Sequence, residues 1–402
     1  MTNDSRRLGI FGSGLDPPRA TTAIRKNIGE SSMRRLLIGL LLFPTFSFAD
    51  HEPPEYSFAA KRGNLPSSNY ISFSASASPK VFPAHLDSDP YIKARLDDLL
   101  TGEPRVALSA IAISKGNIVY EKYLRDGADN LYPSWSMAKS LTSLTAGYAL
   151  CDSKIKSLDD KAEQYADVLR GTAWGDAKIK DLLMMTSGAP IDSLNKLEGD
   201  YIYQSRGLIH AVSRNIYSLK QAFKFVSSGT QRAAPGERFA YSNLDTEAVA
   251  AVVAGATNQP FQEYFQKRIW NSINPEHQAV WLLDKDKQAI ASAYFFASMR
   301  DYAKIAQHIV DIYKGRAGND CLRNYLKEAT TPRKNDGGRI WYGYQFWIYG
   351  AKGDTFAMWG HQGQEILINP EKEKILVLTA YHSSIRNKYR DPKNLVPWLR
   401  TD

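Results

Sequence analysis

The sequence predicts an α+β fold: one antiparallel sheet built from both ends of the chain, flanked by helices, with a mostly helical segment inserted between them. Three observations carry this. Runs of Val, Ile, Leu and Ala with strand-like bounds lie at 106–120 and again at 340–381. The stretch between them, 151–320, reads mainly at helical spacing. At 402 residues and 43% hydrophobic, the chain is long enough and apolar enough for a substantial core. Composition excludes a disordered chain, a collagen-like fibre and a disulfide-dense mini-protein.

The first 49 residues stand apart. Met33, Arg34 and Arg35 precede an apolar run at 36–43, and Ser47-Phe48-Ala49 follows. A basic start, a short apolar run and small residues before a cut after Ala49 make a secretory signal peptide. The apolar run is too short to span a bilayer. No Cys follows it for lipid attachment, so the expectation is a periplasmic or secreted protein with no stable membrane anchor. Residues 1–49 hold seven basic and three acidic residues, so +4 of the formal +9 charge belongs to this segment. The remaining +5 is spread along the chain with no basic stripe, so no nucleic-acid partner is expected.

The elements follow in order. Residues 50–90 are rich in Pro and Ser and read as an extended lead-in. Asp89-Pro90 opens a helix through Ile92, Leu96, Leu99 and Leu100. Residues 106–114 and 118–120 form a hairpin across Lys115-Gly116-Asn117. A helix over 136–150 has Ala, Ser and Thr on its other faces, so it is buried nearly all round. Helices are expected at 179–185, 218–227, 245–256, 261–272 and 299–313. Strands are expected at 340–349, 356–359, 365–368 and 374–381, and a short helix at 394–399. There is no internal repeat. The domain reading is a sheet domain of 50–150 plus 321–402, interrupted by a helical insert of 151–320. Cys151 and Cys321 could join in an exported protein, but one pair so distant sets no framework; buried free thiols are the expectation.

Three short patterns can carry chemistry. Ser and Lys three apart share one helical turn, and a buried neutral Lys can activate a Ser hydroxyl. The spacing occurs at Ser136/Lys139, Ser153/Lys156 and Ser193/Lys196, but only Ser136 opens a buried helix. Tyr241-Ser242-Asn243 offers a Tyr hydroxyl whose pKa a nearby ammonium lowers, although alone it reads better as a turn and helix cap with a core Tyr. Trp359-Gly360-His361-Gln362-Gly363-Gln364 places two glycines inside an aromatic strand region, which means a bulge or a close backbone approach. A backbone N–H there can complete an oxyanion hole with the Ser136 amide. No His pairs with another at metal-ligand spacing, so neither metal nor cofactor is expected.

In this order, the three patterns resemble the serine β-lactamase and penicillin-binding superfamily. They are most similar to its class C β-lactamase-like branch, which includes DD-peptidases, esterases and 6-aminohexanoate-dimer hydrolases. The resemblance runs from Ser109 to Tyr381. It includes Leu158-Asp159-Asp160, the segment from Ile179 through Leu182-Leu183-Met184-Met185-Thr186-Ser187-Gly188, and Pro235-Gly236 leading into Tyr241-Ser242-Asn243. It implies a β-lactamase/transpeptidase-like fold. It implies that Ser136 is the acyl-forming nucleophile, Lys139 its activating partner, Tyr241 the general acid and base, and Asn243 a polar organiser. His361 takes the place of the family's third-motif Lys, and Gly363-Gln364 supplies oxyanion backbone.

That third motif departs from the Lys-Thr-Gly pattern of the related class A enzymes. Gln362 is neutral and His361 is mostly uncharged near neutral pH, which weakens recognition of a substrate carboxylate. The resemblance therefore implies hydrolysis of a small ester or amide, of the 6-aminohexanoate-oligomer or esterase type. The alternatives are a DD-carboxypeptidase or class C-like β-lactamase, and a catalytically silent binding protein on the same scaffold. Substrate selection is expected around 201–210 and 281–296, both rich in aromatic residues.

Overall fold

The computed structural model describes residues 69–101, 107–124, 127–190, 209, 211–227, 233–335, 340–380 and 395–402. The expected signal segment, the Ser193/Lys196 pair, the expected selection region 201–210 apart from Ile209, and Tyr381 lie outside them. An eight-stranded antiparallel sheet runs β3-β2-β12-β11-β10-β9-β8-β7. Its early members are β2 (Ala107–Ser114) and β3 (Asn117–Tyr123). Its late members are β7 (Lys334–Asn335), β8 (Ile340–Tyr342), β9 (Trp347–Tyr349), β10 (Thr355–Trp359), β11 (Glu365–Asn369) and β12 (Lys374–Ala380). The sheet thus joins the two ends of the fold through β2 and β12, with Ile113 opposite Ile375 and Ile111 opposite Val377.

Alternation along those strands builds two cores. Ile111, Ile113, Ile375 and Val377 join the large core, while Ala110, Ala112, Leu376 and Leu378 join a smaller one on the opposite face. The smaller core is closed by α1 (Pro90–Thr101) through Ile92, Leu96, Leu99 and Leu100, and by the C-terminal helix (Val396–Arg400) through Trp398 and Leu399. On the large-core face lie α2 (Met137–Cys151) and the helix Met299–Tyr313, whose Ile305, Ile309 and Ile312 are fully buried. A 15-residue helix, Asn243–Thr257, packs against α2; it is called α3 below. No helix among the described residues is long and apolar enough to cross a membrane.

Several expectations need correcting. The described residues form two sheets, not one. The second has order β1-β5-β6-β4, from Tyr70–Phe73, Ala279–Leu282, Phe295–Ala297 and Tyr132–Pro133. Part of the lead-in is therefore a strand, and 151–320 supplies two strands besides its helices. These strands are only two to four residues long, and β4, β5 and β6 are buried throughout, so they are too short to show an alternation. The run 340–349 is a hairpin, β8 and β9, turned at Gly343-Tyr344-Gln345 with Gln345 at φ 60°. Residues 261–272 do not form one helix: an α-turn at Phe261–Phe265 passes into a π-turn at Gln266–Trp270 and a 3₁₀ turn. A further helix forms at Asp320–Ala329, where the sequence reading places none. Cys151 and Cys321 are not free thiols. They form a disulfide with Cα atoms 5.6 Å apart, because the end of α2 lies against the start of that helix.

Candidate active site

Ser136 is the N-cap of α2, with φ −68° and ψ −2°, and its hydroxyl makes no capping bond. The first turn is instead tightened by Met137 N–H to Ser134 C=O and Ala138 N–H to Trp135 C=O, both 3.1 Å. That leaves Oγ for another partner, and Lys139 Nζ lies 3.1 Å from it. Among the described residues the Ser136 N–H has no acceptor. Ser136 is partly exposed at a helix N-terminus, so this amide can serve an incoming anion.

Lys139 is 1% exposed, one turn into a helix whose residues Met137 through Ala149 are all buried. Its Nζ donates to Asn243 Oδ1 at 2.6 Å and to the Ser292 carbonyl at 2.9 Å. Both are acceptors only in this arrangement. A neutral amine uses its two N–H bonds there and turns its lone pair to the Ser136 hydroxyl; an ammonium donates to all three. Either form fits, which is what a proton-transfer partner needs. Nζ also sits 5.1 Å from the centre of the Tyr241 ring.

Tyr241 and Asn243 arrive through the start of α3. Ser242, extended at φ −137° and ψ 132°, caps that helix by accepting from Asp245 N–H, and Asn243 is its first residue. The segment before it is cradled by the stretch Met185–Gly188: Ala240 N–H donates to Met185 C=O at 2.8 Å and Gly236 N–H to Thr186 C=O at 2.8 Å. A Cβ on Gly188, at φ +70°, would lie 2.1 Å from the Ala233 carbonyl, so glycine is required there. Asp245 locks the two segments together. Fully buried, it accepts from Ser187 Oγ at 2.8 Å and Trp174 Nε1 at 3.0 Å. Burial raises its pKa to about 7 against the pull of these donors.

The third pattern reaches the same place as backbone. A Cβ on Gly360 would lie 2.3 Å from the Ser134 carbonyl, so β10 ends pressed against the turn into Ser136. Gln362 and Gly363 both have positive φ, 58° and 89°, and bend the chain into β11. Gln364 is fully buried; its N–H makes only a long 3.4 Å bond to His361 C=O, and its side-chain Nε2 donates to Ala380 C=O. His361 is exposed, with its ring edge-on to Trp135 at 5.9 Å. Ser153 and Lys156 are both solvent-exposed and far from this arrangement in the fold, beyond the opposite end of α2.

Some contributors carry no readable signal in the sequence. Trp135 holds the left-handed conformation, φ 44°, immediately before Ser136. For a bulky residue this stores about 1–3 kcal/mol. Its ring packs on Tyr294, 5.5 Å away, itself at φ 60°. Ser292 contributes a carbonyl, which no side-chain pattern reveals. Tyr241 backs onto Trp347 at 5.5 Å and Tyr342 at 6.1 Å, which makes that wall aromatic. Asp245 and Glu247 do leave a trace, as two acids in an otherwise Ala- and Val-rich helix. Among the described residues no three His, Cys, Asp or Glu side chains are grouped to hold a metal.

A family model described as Beta-lactamase matches residues 92–393. The chain belongs to this family. Members of the β-lactamase family are serine hydrolases. A Beta-lactamase of Yersinia enterocolitica is 21% identical over 62% of the chain and 64% of that protein. The D-alanyl-D-alanine-carboxypeptidase/endopeptidase AmpH of Escherichia coli K12 is 24% identical over 43% of the chain and 45% of its own length. The chain thus spans between about half and two thirds of the curated relatives it matches. In fold, it is similar to a Bacillus anthracis protein described as a 6-aminohexanoate-dimer hydrolase. The TM-score is 0.66 at 21% identity, over 82% of this chain and 92% of that one.

Proposed function

We propose that this β-lactamase-family chain is an exported serine hydrolase that cleaves a small ester or amide through an acyl-enzyme on Ser136. The observation that carries the reading is the buried Lys139 amine, held by Asn243 Oδ1 and Ser292 C=O with its remaining direction on Ser136 Oγ. In the proposed reaction the Ser136 proton passes to Lys139 or onward to Tyr241 as Oγ attacks the carbonyl. The oxyanion lies between the N–H groups of Ser136 and Gln364. Tyr241 then protonates the leaving group, and water, deprotonated by the same pair, releases the acyl group. The third motif argues against a substrate carboxylate held close to the scissile bond: its side chains are an exposed His361 and an amide, Gln362, in place of a lysine. The likeness to the described 6-aminohexanoate-dimer hydrolase favours an amide of that oligomer type, and the likeness to AmpH keeps a DD-peptidase as the second reading.

The test is covalent labelling of the folded protein. A fluorophosphonate probe should label wild type and not Ser136→Ala, while a fluorescent penicillin leaves both unlabelled. Stable penicillin labelling would transfer the assignment to the DD-peptidase. Absence of labelling by either probe would remove the enzyme reading.

A further inference from the structure

Glu247 lies one helical turn after Asn243, on the same face of α3. It is 1% exposed, and an isolated carboxylate there is costly unless fully hydrogen-bonded. Its partners are two backbone amides. Oε2 accepts from Ala291 N–H at 3.0 Å and Oε1 from Ser292 N–H at 2.9 Å. The carbonyls of the same two residues point to the nucleophile's helix: Ala291 C=O accepts from Thr142 Oγ1 at 2.8 Å, and Ser292 C=O accepts from Lys139 Nζ at 2.9 Å. The backbone at 291–292 is therefore a strap between two helices, with its amides fixed by α3 and its carbonyls by α2.

We infer that Glu247 is a positioning residue for Ser136: by gripping the Ser292 amide it aims the Ser292 carbonyl at Lys139 and biases the proton that Lys139 holds. This rests on the serine-hydrolase reading above. Burial raises the Glu247 pKa to about 7, so above that pH an anion behind the Ser292 peptide makes its carbonyl a stronger acceptor and favours the cationic form of Lys139. Lys139 is the charged group whose field acts on Glu247; Asp245, on the same helix, is engaged by Trp174 and Ser187, and Tyr241 reaches Lys139 from the ring face. No other charged side chain among the described residues bonds to the strap.

The test measures the rate of fluorophosphonate labelling against pH for wild type, Glu247→Gln and Thr142→Val, with Ser136→Ala as the blank. Glu247→Gln keeps the shape but removes the charge and one acceptor. It should lower the plateau labelling rate by about ten-fold or more and move the pH midpoint downward, because a nearby anion no longer holds the proton. Thr142→Val loosens the same strap on its other side and should lower thermal stability without moving the midpoint. If Glu247→Gln labels at the wild-type rate and midpoint, the inference is wrong. It is equally overturned if both variants lose rate only in step with their folded fraction, since that is what a purely structural residue would do. Should Glu247→Gln not fold, Glu247→Asp, which keeps the charge, must retain the wild-type midpoint with a reduced plateau; a displaced midpoint there sinks the idea. Unlabelled wild type would bring down the serine-hydrolase reading itself, whereas labelled wild type with an indifferent Glu247→Gln would bring down only this step.

Discussion

The two ends of α2 are built on opposite principles. At its start, Trp135 is bent into a left-handed conformation, Ser136 is partly exposed, and a lysine amine is buried among carbonyl-type acceptors. At its finish, every interaction restrains. Cys151 is bonded to Cys321; Tyr148 hydroxyl meets His308 Nε2 at 2.7 Å; Arg268 lies over the Tyr148 ring at 4.9 Å and pairs with Asp152 at 2.8 Å. Asp152 also accepts from Tyr264 at 2.6 Å. The start carries backbone strain beside the Ser136–Lys139 pair, and the finish anchors the same helix. Stability and chemistry can therefore be perturbed separately along one rigid rod.

The sharpest way to break that division is at the reactive end. Tyr241→Phe should lower turnover by about 10²–10⁴-fold while the melting temperature stays at the wild-type value; steady-state kinetics beside calorimetry decides it. A variant that melts earlier and turns over normally would place Tyr241 in the core instead. The next effect is at the restrained end. The double variant Cys151→Ser/Cys321→Ser should lose about 2–5 kcal/mol of stability, measured by denaturant unfolding, with turnover unchanged well below its melting point. If turnover fell in the still-folded variant, the two ends would be coupled after all.

The smallest effect concerns pH. Burial pushes the His308 pKa down to about 4 from its ordinary value of 6.5. Between these values the unfolded chain binds a proton that the folded chain refuses, so this residue's contribution to stability is present above about 6.5 and is lost as pH falls toward 4. Its size is on the order of 2 kcal/mol after allowing for partial exposure. Asp245 and Glu247, raised to about 7 by burial, work in the reverse sense, since the folded state holds their protons as pH rises. Only the difference between wild type and His308→Gln isolates the histidine: the variant should lose less stability from pH 6.5 to 4. Equal losses would show that His308 titrates normally.

Much of this arrangement is legible in the sequence. Strands β2 and β12 are buried on both faces and declare themselves as long runs of Ala, Ile, Leu and Val bounded by turn signals, and the SxxK turn is set apart from its two copies by the buried helix that follows it. Tyr241-Ser242-Asn243 is legible only in company with the other motifs. The short strands of the second sheet are not, because two to four residues are too few to make either a run or a period. The helix Asp320–Ala329 does carry a pattern, Leu322, Tyr325, Leu326 and Ala329 behind an Asn319 cap, so a signal exists there that the strand-rich surroundings obscure. The disulfide depends on where α2 ends relative to that helix, a tertiary fact that spacing cannot supply. Ser292 and the left-handed Trp135 act through backbone geometry, which side-chain identity leaves unspecified.

The pairing of β2 with β12 sets a timetable. Residues 107–114 must wait for 374–380 before the middle of the large sheet exists, and the turn at Gln345 that accepts the Ser140 hydroxyl is 205 residues downstream of it. At roughly 5–20 residues per second of synthesis, a nascent chain spends on the order of ten seconds or more with α2 synthesised and the large sheet open. A chain still emerging from the ribosome is therefore unfinished as a fold, with the two halves of its large sheet not yet joined.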